Sequence, residues 1–329
     1  MTAPLSNFRL TRPRDVEAAI AARGEHDGSR FLAGGSDLIV NMRRGIGTPG
    51  VLIDLTGIDE LAELSVTDAG VHIGACVTVA TFAEAPVIRR KYRAAAEAAE
   101  AIAGAGHRVM ATVGGNLCLD TRCIYYNQSQ WWRSANHFCL KHQGDICHVA
   151  PQGARCHAAF SGDLAPALMV LGGEVEIAGP TGRRRIPLSD IYIEDGKAHL
   201  SLGAQELVVA VHLPLDPPPS SYAKVRTRGA IDFPLAGVAV ALAVANGAVK
   251  EFRVGITGTN SRPFLLAGTD VFSGHPIDDD ALQCLDKLVQ KQVQPMRTTV
   301  ASAHYRRLAA AALARRLTAK LFGEHGAIP

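Results

Sequence analysis

Four cysteines, Cys123, Cys139, Cys147 and Cys156, stand at the spacing Cys-x15-Cys-x7-Cys-x8-Cys. Thiolates at this number can hold a structural zinc ion or an iron–sulfur cluster. Structural zinc sites pair their ligands two to four residues apart, and none of these four is paired so closely. The tight runs of common ferredoxins are missing as well, so spacing leaves both metals open. Tyr125, Tyr126, Trp131, Trp132 and Phe138 crowd the same segment in a chain that is only 5% aromatic. An apolar wrapping limits solvent access and tunes redox potential, which favours iron–sulfur over zinc. His137, His142, His148 and His157 could also ligate, but are expected at the surface or behind the ligands. Cys118 follows Gly114-Gly115-Asn116-Leu117 and goes with that turn. Cys284 is expected to face a helix core as a small hydrophobe.

A second chemistry resides in two glycine pairs. Arg30-Phe31-Leu32-Ala33 reads as a short strand, Gly34-Gly35-Ser36-Asp37 as a turn, and Leu38 onward as a helix. That order aims free backbone N–H groups at an anion, and glycine lets a phosphate approach without a Cβ in the way. Taken alone, it also reads as a plain turn. It is neither a Walker loop nor the spaced three-glycine dinucleotide fingerprint. Met110–Val113 is short and apolar, and Gly114-Gly115-Asn116 forms a second glycine turn. Its plain alternative is a hairpin corner, against which its repetition weighs. Asp163, in Ser161-Gly162-Asp163-Leu164-Ala165-Pro166, sits where a carboxylate caps the first turn of a helix.

These residues need a frame. Thr11-Arg12-Pro13 predicts a helix start, with Val16, Ala19 and Ile20 on its apolar face and Gly24 at its end. Val51–Leu55 reads as a buried strand, so residues 1–57 form a small α/β unit. Strands are expected at Leu61–Val66, Val71–Ala75, Glu174–Ala178 and Glu206–Leu213, with a long helix from Pro86 to Ile102. Arg183, Arg184 and Arg185 are expected to be solvated beside a turn. Pro214 and Pro217–Ser221 mark a domain boundary. Beyond it come a strand at Tyr222–Arg226 carrying Lys224, and a hairpin of Phe233–Ala245 and Val249–Thr257 about Asn246-Gly247. Helices near Asp278–Val289 and Thr299–Leu321 close the chain.

The 329 residues suit two or three domains. A net charge of +3, without a basic run carrying interleaved aromatics, argues against nucleic acid. No stretch is apolar enough to span a bilayer, and the first residues lack the apolar core of a signal peptide. A cytoplasmic protein with reduced thiols is expected.

Ala33–Leu38, Thr112–Asn116 and Ser161–Leu168, in that order, resemble the FAD subunits of molybdenum hydroxylases, a family that includes carbon monoxide dehydrogenase and xanthine dehydrogenase. The resemblance runs from Phe8 to Leu317. It implies an α+β fold: an FAD-binding domain of two α/β subdomains (PCMH-type, with a small parallel sheet and a larger, mainly antiparallel one) in 1–57 and 58–219. A C-terminal antiparallel sheet with helices, as in carbon monoxide dehydrogenase flavoproteins, follows in 220–329. It further implies that Arg30, Phe31, Leu32, Ala33, Gly34, Gly35, Ser36 and Asp37, with Thr112, Gly114, Gly115 and Asn116, hold the FAD pyrophosphate through backbone N–H groups. Ile102 would lie against the cofactor, Asp163 would hydrogen-bond it, and Lys224 would sit near the flavin, where a cation favours the reduced, anionic ring.

In most relatives the second glycine turn and the Asp-Leu-x-Pro helix start lie close together; here residues 119–158 intervene. That insertion resembles the 4-hydroxybenzoyl-CoA reductase branch of the family, which implies a [4Fe-4S] cluster on Cys123, Cys139, Cys147 and Cys156. The same resemblance implies electron transfer from ferredoxin through cluster and FAD to partner [2Fe-2S] and molybdenum-cofactor subunits, in a dimer of αβγ heterotrimers. No nucleophile–base constellation for substrate chemistry is present in the sequence, which agrees with catalysis in another chain. Two other functions are open: an oxidative molybdenum hydroxylase FAD subunit with an inert insert, and a non-redox nucleotide binder braced by zinc.

Overall fold

The computed structural model describes residues 5–325. The first unit comprises β1 (Arg9–Thr11), α1 (Val16–Glu25), β2 (Arg30–Leu32), α2 (Leu38–Arg43) and β3 (Val51–Asp54). Its strands form a parallel sheet of order β1-β3-β2. Thr11 does not cap α1; it ends β1, and its hydroxyl donates to Leu52 O at 3.3 Å. Asp15 caps instead, Oδ1 accepting from Ala18 N at 2.7 Å. Gly24 lies inside α1, which runs on to Glu25. Val16, Ala19 and Ile20 pack on Ile53 and Leu55 and on Leu207 and Val209 beyond, so the small unit is welded to its neighbour.

The second unit opens with α3 (Asp59–Ala62), β4 (Leu64–Thr67) and β5 (Gly70–Gly74), so the expected strand at Leu61 begins as a helical turn. Then come α4 (Val79–Glu84), α5 (Pro86–Lys91), α6 (Arg93–Ala101), α7 (Ala105–Arg108) and α8 (Val113–Leu117). The single long helix expected from Pro86 is broken at Tyr92, whose ring is fully buried and whose hydroxyl donates to Pro214 O. Gly114-Gly115 is no turn between strands. Thr112 Oγ1 accepts from Gly115 N at 3.1 Å, an N-cap that places both glycines in the first turn of α8.

After α9 (Gln130–Ala135) and α10 (Leu164–Val170) follow β6 (Glu174–Gly179), β7 (Gly182–Pro187) and β8 (Leu207–Leu213). With β4 and β5 they form a five-stranded antiparallel sheet of order β4-β5-β8-β6-β7. The three arginines of β7 are exposed but not merely solvated. Arg183 pairs with Glu17 and Glu60, Arg184 with Glu206, and Arg185 with Glu174, because β7 is an edge strand facing acidic neighbours.

The third unit is β9 (Ser220–Val225), β10 (Ala236–Ala245), β11 (Ala248–Thr257), β12 (Phe264–Leu265), α11 (Asp279–Gln292) and α12 (Ala303–His325). Its antiparallel sheet has the order β12-β11-β10-β9. Asn246 and Gly247 take φ of 53° and 74°, the left-handed pair that a two-residue hairpin requires. β10 is buried on both faces: Val238, Val240 and Leu242 meet the core under α11 and α12, while Ala239 and Ala241 join the core of the second unit. Cys284 is exposed; Leu282, Leu285 and Val289 are the residues that α11 buries.

The insertion 119–158 leaves the frame through a narrow neck. Arg122 N donates to Ala159 O at 2.7 Å and Ala159 N returns to Arg122 O at 2.8 Å. Beyond the neck Ile124 N donates to Thr298 O at 2.9 Å, which ties the insertion to the third unit.

Candidate functional site

A cleft of about 940 Å³ runs between the three units. Its lining includes Arg30, Phe31, Leu32, Ala33, Gly34, Gly35, Ser36 and Asp37, then Ile102, Thr112, Gly114, Gly115, Asn116 and Asp163. The two glycine segments touch. A Cβ on Gly34 would stand 1.6 Å from Met110 O, and one on Gly114 would stand 2.7 Å from the Ala75 Cβ. Only glycine permits these approaches.

The segments contribute differently. Among the described residues, the backbone N–H groups of Gly34, Gly35, Ser36, Asp37 and Leu38 donate to no protein acceptor, leaving a row of free donors before α2. The second segment was expected to supply such donors too, but Gly114 N donates to Ala75 O at 2.8 Å and Gly115 N to the Thr112 hydroxyl. Its part is close approach, since the N–H groups of Gly114, Gly115 and Asn116 are spent on the fold.

Asp163 occupies the N-cap position of α10 without capping it. Asn116 does so from across the cleft, Oδ1 accepting from Leu164 N at 3.0 Å. Asp163, 3% exposed, accepts instead from the Tyr222 hydroxyl at 2.6 Å and from Lys224 Nζ at 3.1 Å. Burial pushes the Asp163 carboxyl up, against the pull of the Lys224 ammonium. Lys224 does not line the cleft. Its side chain is buried behind Asp163, with Asp232 O as a further acceptor at 3.1 Å.

Next to the cleft, Cys123, Cys139, Cys147 and Cys156 all line one cavity, with Tyr125, Tyr126, Leu140, Lys141, His148 and Val149. They surround about 270 Å³ free of protein atoms, part of it continuous with solvent. A hydrogen bond from Cys156 pulls the Cys147 thiol down, whereas burial pushes Cys123 up to about 11. Among the described residues no three His, Cys, Asp or Glu side chains are close enough to share one metal ion. The aromatic wrapping is thinner than expected. Tyr125 and Tyr126 line the cavity, but Trp131 is 76% exposed, Trp132 packs on Tyr125, and Phe138 lies against His142. His137 is exposed, His148 stacks on Tyr125, and His142 faces the cleft.

Residues 6–216 match the model of the FAD binding domain in molybdopterin dehydrogenase, and residues 220–321 that of the CO dehydrogenase flavoprotein C-terminal domain. The chain belongs to the FAD-binding subunits of the molybdenum hydroxylase family. This FAD-binding subunit is 36% identical over 268 residues to the aldehyde oxidoreductase FAD-binding subunit PaoB of Escherichia coli, covering 78% of this chain and 82% of that one. It is 27% identical over 315 residues to the carbon monoxide dehydrogenase medium chain of Afipia carboxidovorans, covering 94% and 95%. Among solved structures, a Cu,Mo-CO dehydrogenase in its cyanide-inactivated form superposes with a TM-score of 0.78 at 25% identity, covering 98% of this chain and 99% of that one.

The cleft of the FAD-binding subunit suits a large polar cofactor. Among the described residues, Asn41 Oδ1, Arg122 Nε, His142 Nε2 and His199 Nε2 are buried without a partner, and all four residues line it. Buried polar atoms are ordinarily satisfied, so four orphans around one cleft mark where a hydrogen-bonding ligand belongs. Burial, with the Lys141 ammonium nearby, brings His199 down to about 4, so its ring is neutral.

Sequence reasoning missed Asp120, Arg122, Lys141 and His199. Arg122 pairs with Asp37 and stacks on Phe233, its guanidinium 4.5 Å from the ring centroid. Asp120 N donates to Asp37 Oδ2 at 3.3 Å, and Lys141 Nζ reaches Asp120 Oδ1 at 2.6 Å. The available signal was charge placement: three ionic residues within three positions of Cys123 or Cys139, in a segment otherwise rich in aromatics.

Proposed function

We infer that this FAD-binding subunit is an electron relay of the 4-hydroxybenzoyl-CoA reductase type. Cys123, Cys139, Cys147 and Cys156 would hold a [4Fe-4S] cluster, and the cleft FAD. Electrons from reduced ferredoxin would leave through partner [2Fe-2S] and molybdenum subunits in a dimer of αβγ heterotrimers. There two electrons and two protons would replace the phenolic hydroxyl of 4-hydroxybenzoyl-CoA by hydrogen, releasing water and benzoyl-CoA. A reducing compartment, the cytoplasm, suits seven free thiols. Among the described residues no helix is long and apolar enough to cross a membrane.

One observation carries this proposal: four thiols, spread over 34 sequence positions, line a single cavity that shares Tyr126 and Lys141 with the flavin cleft. The aromatic lining from Tyr125 and Tyr126, which would limit solvent access to a redox centre, favours a cluster over zinc. A bound cluster would supply one-electron chemistry; FAD would join one-electron and two-electron steps. The protein's own part is to fix both sites on one rigid wall. The free N–H row at Gly34–Leu38 would receive the pyrophosphate, Asn116 and Asp163 would border the ring side, and the Tyr125 and Tyr126 rings would limit water at the thiolates.

A second function is supported by the relatives themselves, which are named as subunits of an aldehyde oxidoreductase and a carbon monoxide dehydrogenase. The chain would then deliver electrons from an oxidative molybdenum centre to FAD, with the insertion a bystander. Anaerobically purified protein assayed for iron, acid-labile sulfide and flavin, with low-temperature EPR after reduction, tests the proposal. Iron and sulfide near four per flavin are expected, and Cys139→Ser should abolish the EPR signal while FAD stays bound. Flavin without iron refutes the cluster. A cluster whose loss leaves flavin reduction intact favours the second function.

A further inference from the structure

We propose that Lys141 sets the working potential of the four-cysteine centre and couples it to the flavin side through a fixed chain of charges. This rests on the cluster assignment above. Lys141 and Tyr126 line both the thiol cavity and the flavin cleft, so they form the partition between them. The Lys141 side chain is 5% exposed. Its Nζ donates to Asp120 Oδ1 at 2.6 Å, to Thr121 O at 3.2 Å and to the Thr121 hydroxyl, and lies 4.3 Å from the centroid of the Tyr126 ring. All three ammonium hydrogens therefore have acceptors, and the charge is held in place.

The chain continues toward the flavin. Asp120 N donates to Asp37 Oδ2, and Asp37 pairs with Arg122. Asp37 belongs to the segment whose free N–H groups face the cleft. One cation at the thiol cavity and one carboxylate of the glycine turn are thus joined through Asp120, whose carboxylate holds the first and whose backbone N–H donates to the second. The cluster's potential follows the net charge and hydrogen bonding around its sulfurs. Reduction adds a negative charge, and a fixed buried cation favours that state, since little solvent screens it. Asp120 opposes the cation, so removing either partner should move the potential in opposite directions. A purely structural ion pair predicts lost stability from both changes and no such opposition.

The test is an EPR-monitored redox titration of the anaerobically purified complex, with iron, sulfide and flavin measured on the same samples. Lys141→Gln is expected to cut the reduced-to-oxidised ratio at fixed potential about tenfold, a fall of 59 mV for a one-electron couple. Asp120→Asn is expected to raise the midpoint, and Lys141→Arg to hold it near that of the wild type. Wild-type complex whose iron and sulfide are fully accounted for by the partner [2Fe-2S] clusters fails the cluster assignment itself, and this proposal with it. Iron in excess of that, with coincident titration curves for wild type, Lys141→Gln and Asp120→Asn, overturns this proposal alone. Shifts of the same sign in both variants overturn it too. If Lys141→Gln does not assemble, Asp120→Asn and Lys141→Arg decide: a raised midpoint with Asn beside an unmoved one with Arg supports the role, and an unmoved midpoint with Asn refutes it.

Discussion

Gly34→Ala is the most direct perturbation of the flavin cleft. The new Cβ would stand 1.6 Å from Met110 O, 2.5 Å from Met110 C and 3.1 Å from Ala111 N. Real Cβ contacts stop near 3.0 Å, so the two backbones must part by about 1.4 Å. Neither side is a side chain that can swing away. The strain must be relieved by moving the glycine turn off the Met110–Thr112 segment, the two walls that frame the free N–H row. Overpacking of this kind costs about 1–3 kcal/mol, and a backbone-on-backbone clash belongs at the upper end. At 1.4 kcal/mol per tenfold, a loss of about 3 kcal/mol weakens FAD binding roughly 100-fold. Titrating apoprotein with FAD by fluorescence quenching reads this directly, and thermal unfolding of the apoprotein shows whether the frame survives. Gly106→Ala is the control, because nothing lies within 4 Å of its added Cβ. It should stay within about 0.5 kcal/mol of wild type. Wild-type FAD affinity in Gly34→Ala would refute the contact between the glycine segments and the role drawn from it.

Lys224→Met leaves the buried Asp163 with only the Tyr222 hydroxyl, and should cost about 3–5 kcal/mol in urea unfolding at pH 7. The loss should shrink as the pH falls and the carboxyl takes up a proton, and adding Asp163→Asn should recover part of it; equal stability across pH would exclude a buried ion pair. Burial and the nearby Lys141 ammonium bring His199 down to about 4 from the ordinary imidazole value of 6.5, so the unfolded chain binds more protons between those limits. Stability should therefore rise with pH across that window and be lost as pH falls toward 4, by at most about 3 kcal/mol. His199→Leu should flatten this part of the urea midpoint against pH, and an unchanged slope would assign the effect to another group.

Much of this architecture was legible because local signals and burial agreed. Asn246-Gly247 between two apolar runs could only be a tight hairpin, and the proline-rich 214–219 segment does separate the second and third sheets. The four insertion cysteines stood out by type alone. What failed was local chemistry overruled by tertiary partners. Thr11 resembles a cap, but parallel pairing with Ile53 makes it strand. Gly114-Gly115 resembles a turn, yet Thr112 caps a helix there and Ala75 leaves no room for a side chain. Asp163 resembles a cap, but Tyr222 and Lys224, about 60 positions away, claim its oxygens. The network of Asp37, Asp120, Arg122 and Lys141 had no periodicity to betray it, because its members meet only when the insertion folds back on the glycine turn.

The paired hydrogen bonds between Arg122 and Ala159 have an evolutionary corollary. Whatever lies beyond that clasp starts and finishes at the same place, so its length is almost invisible to the sheets and helices behind it. Closing a longer excursion adds only a slowly growing entropic penalty. A flavoprotein with such a clasp can lengthen or shorten the excursion beyond it in one genetic step, without redesigning the neck that closes it.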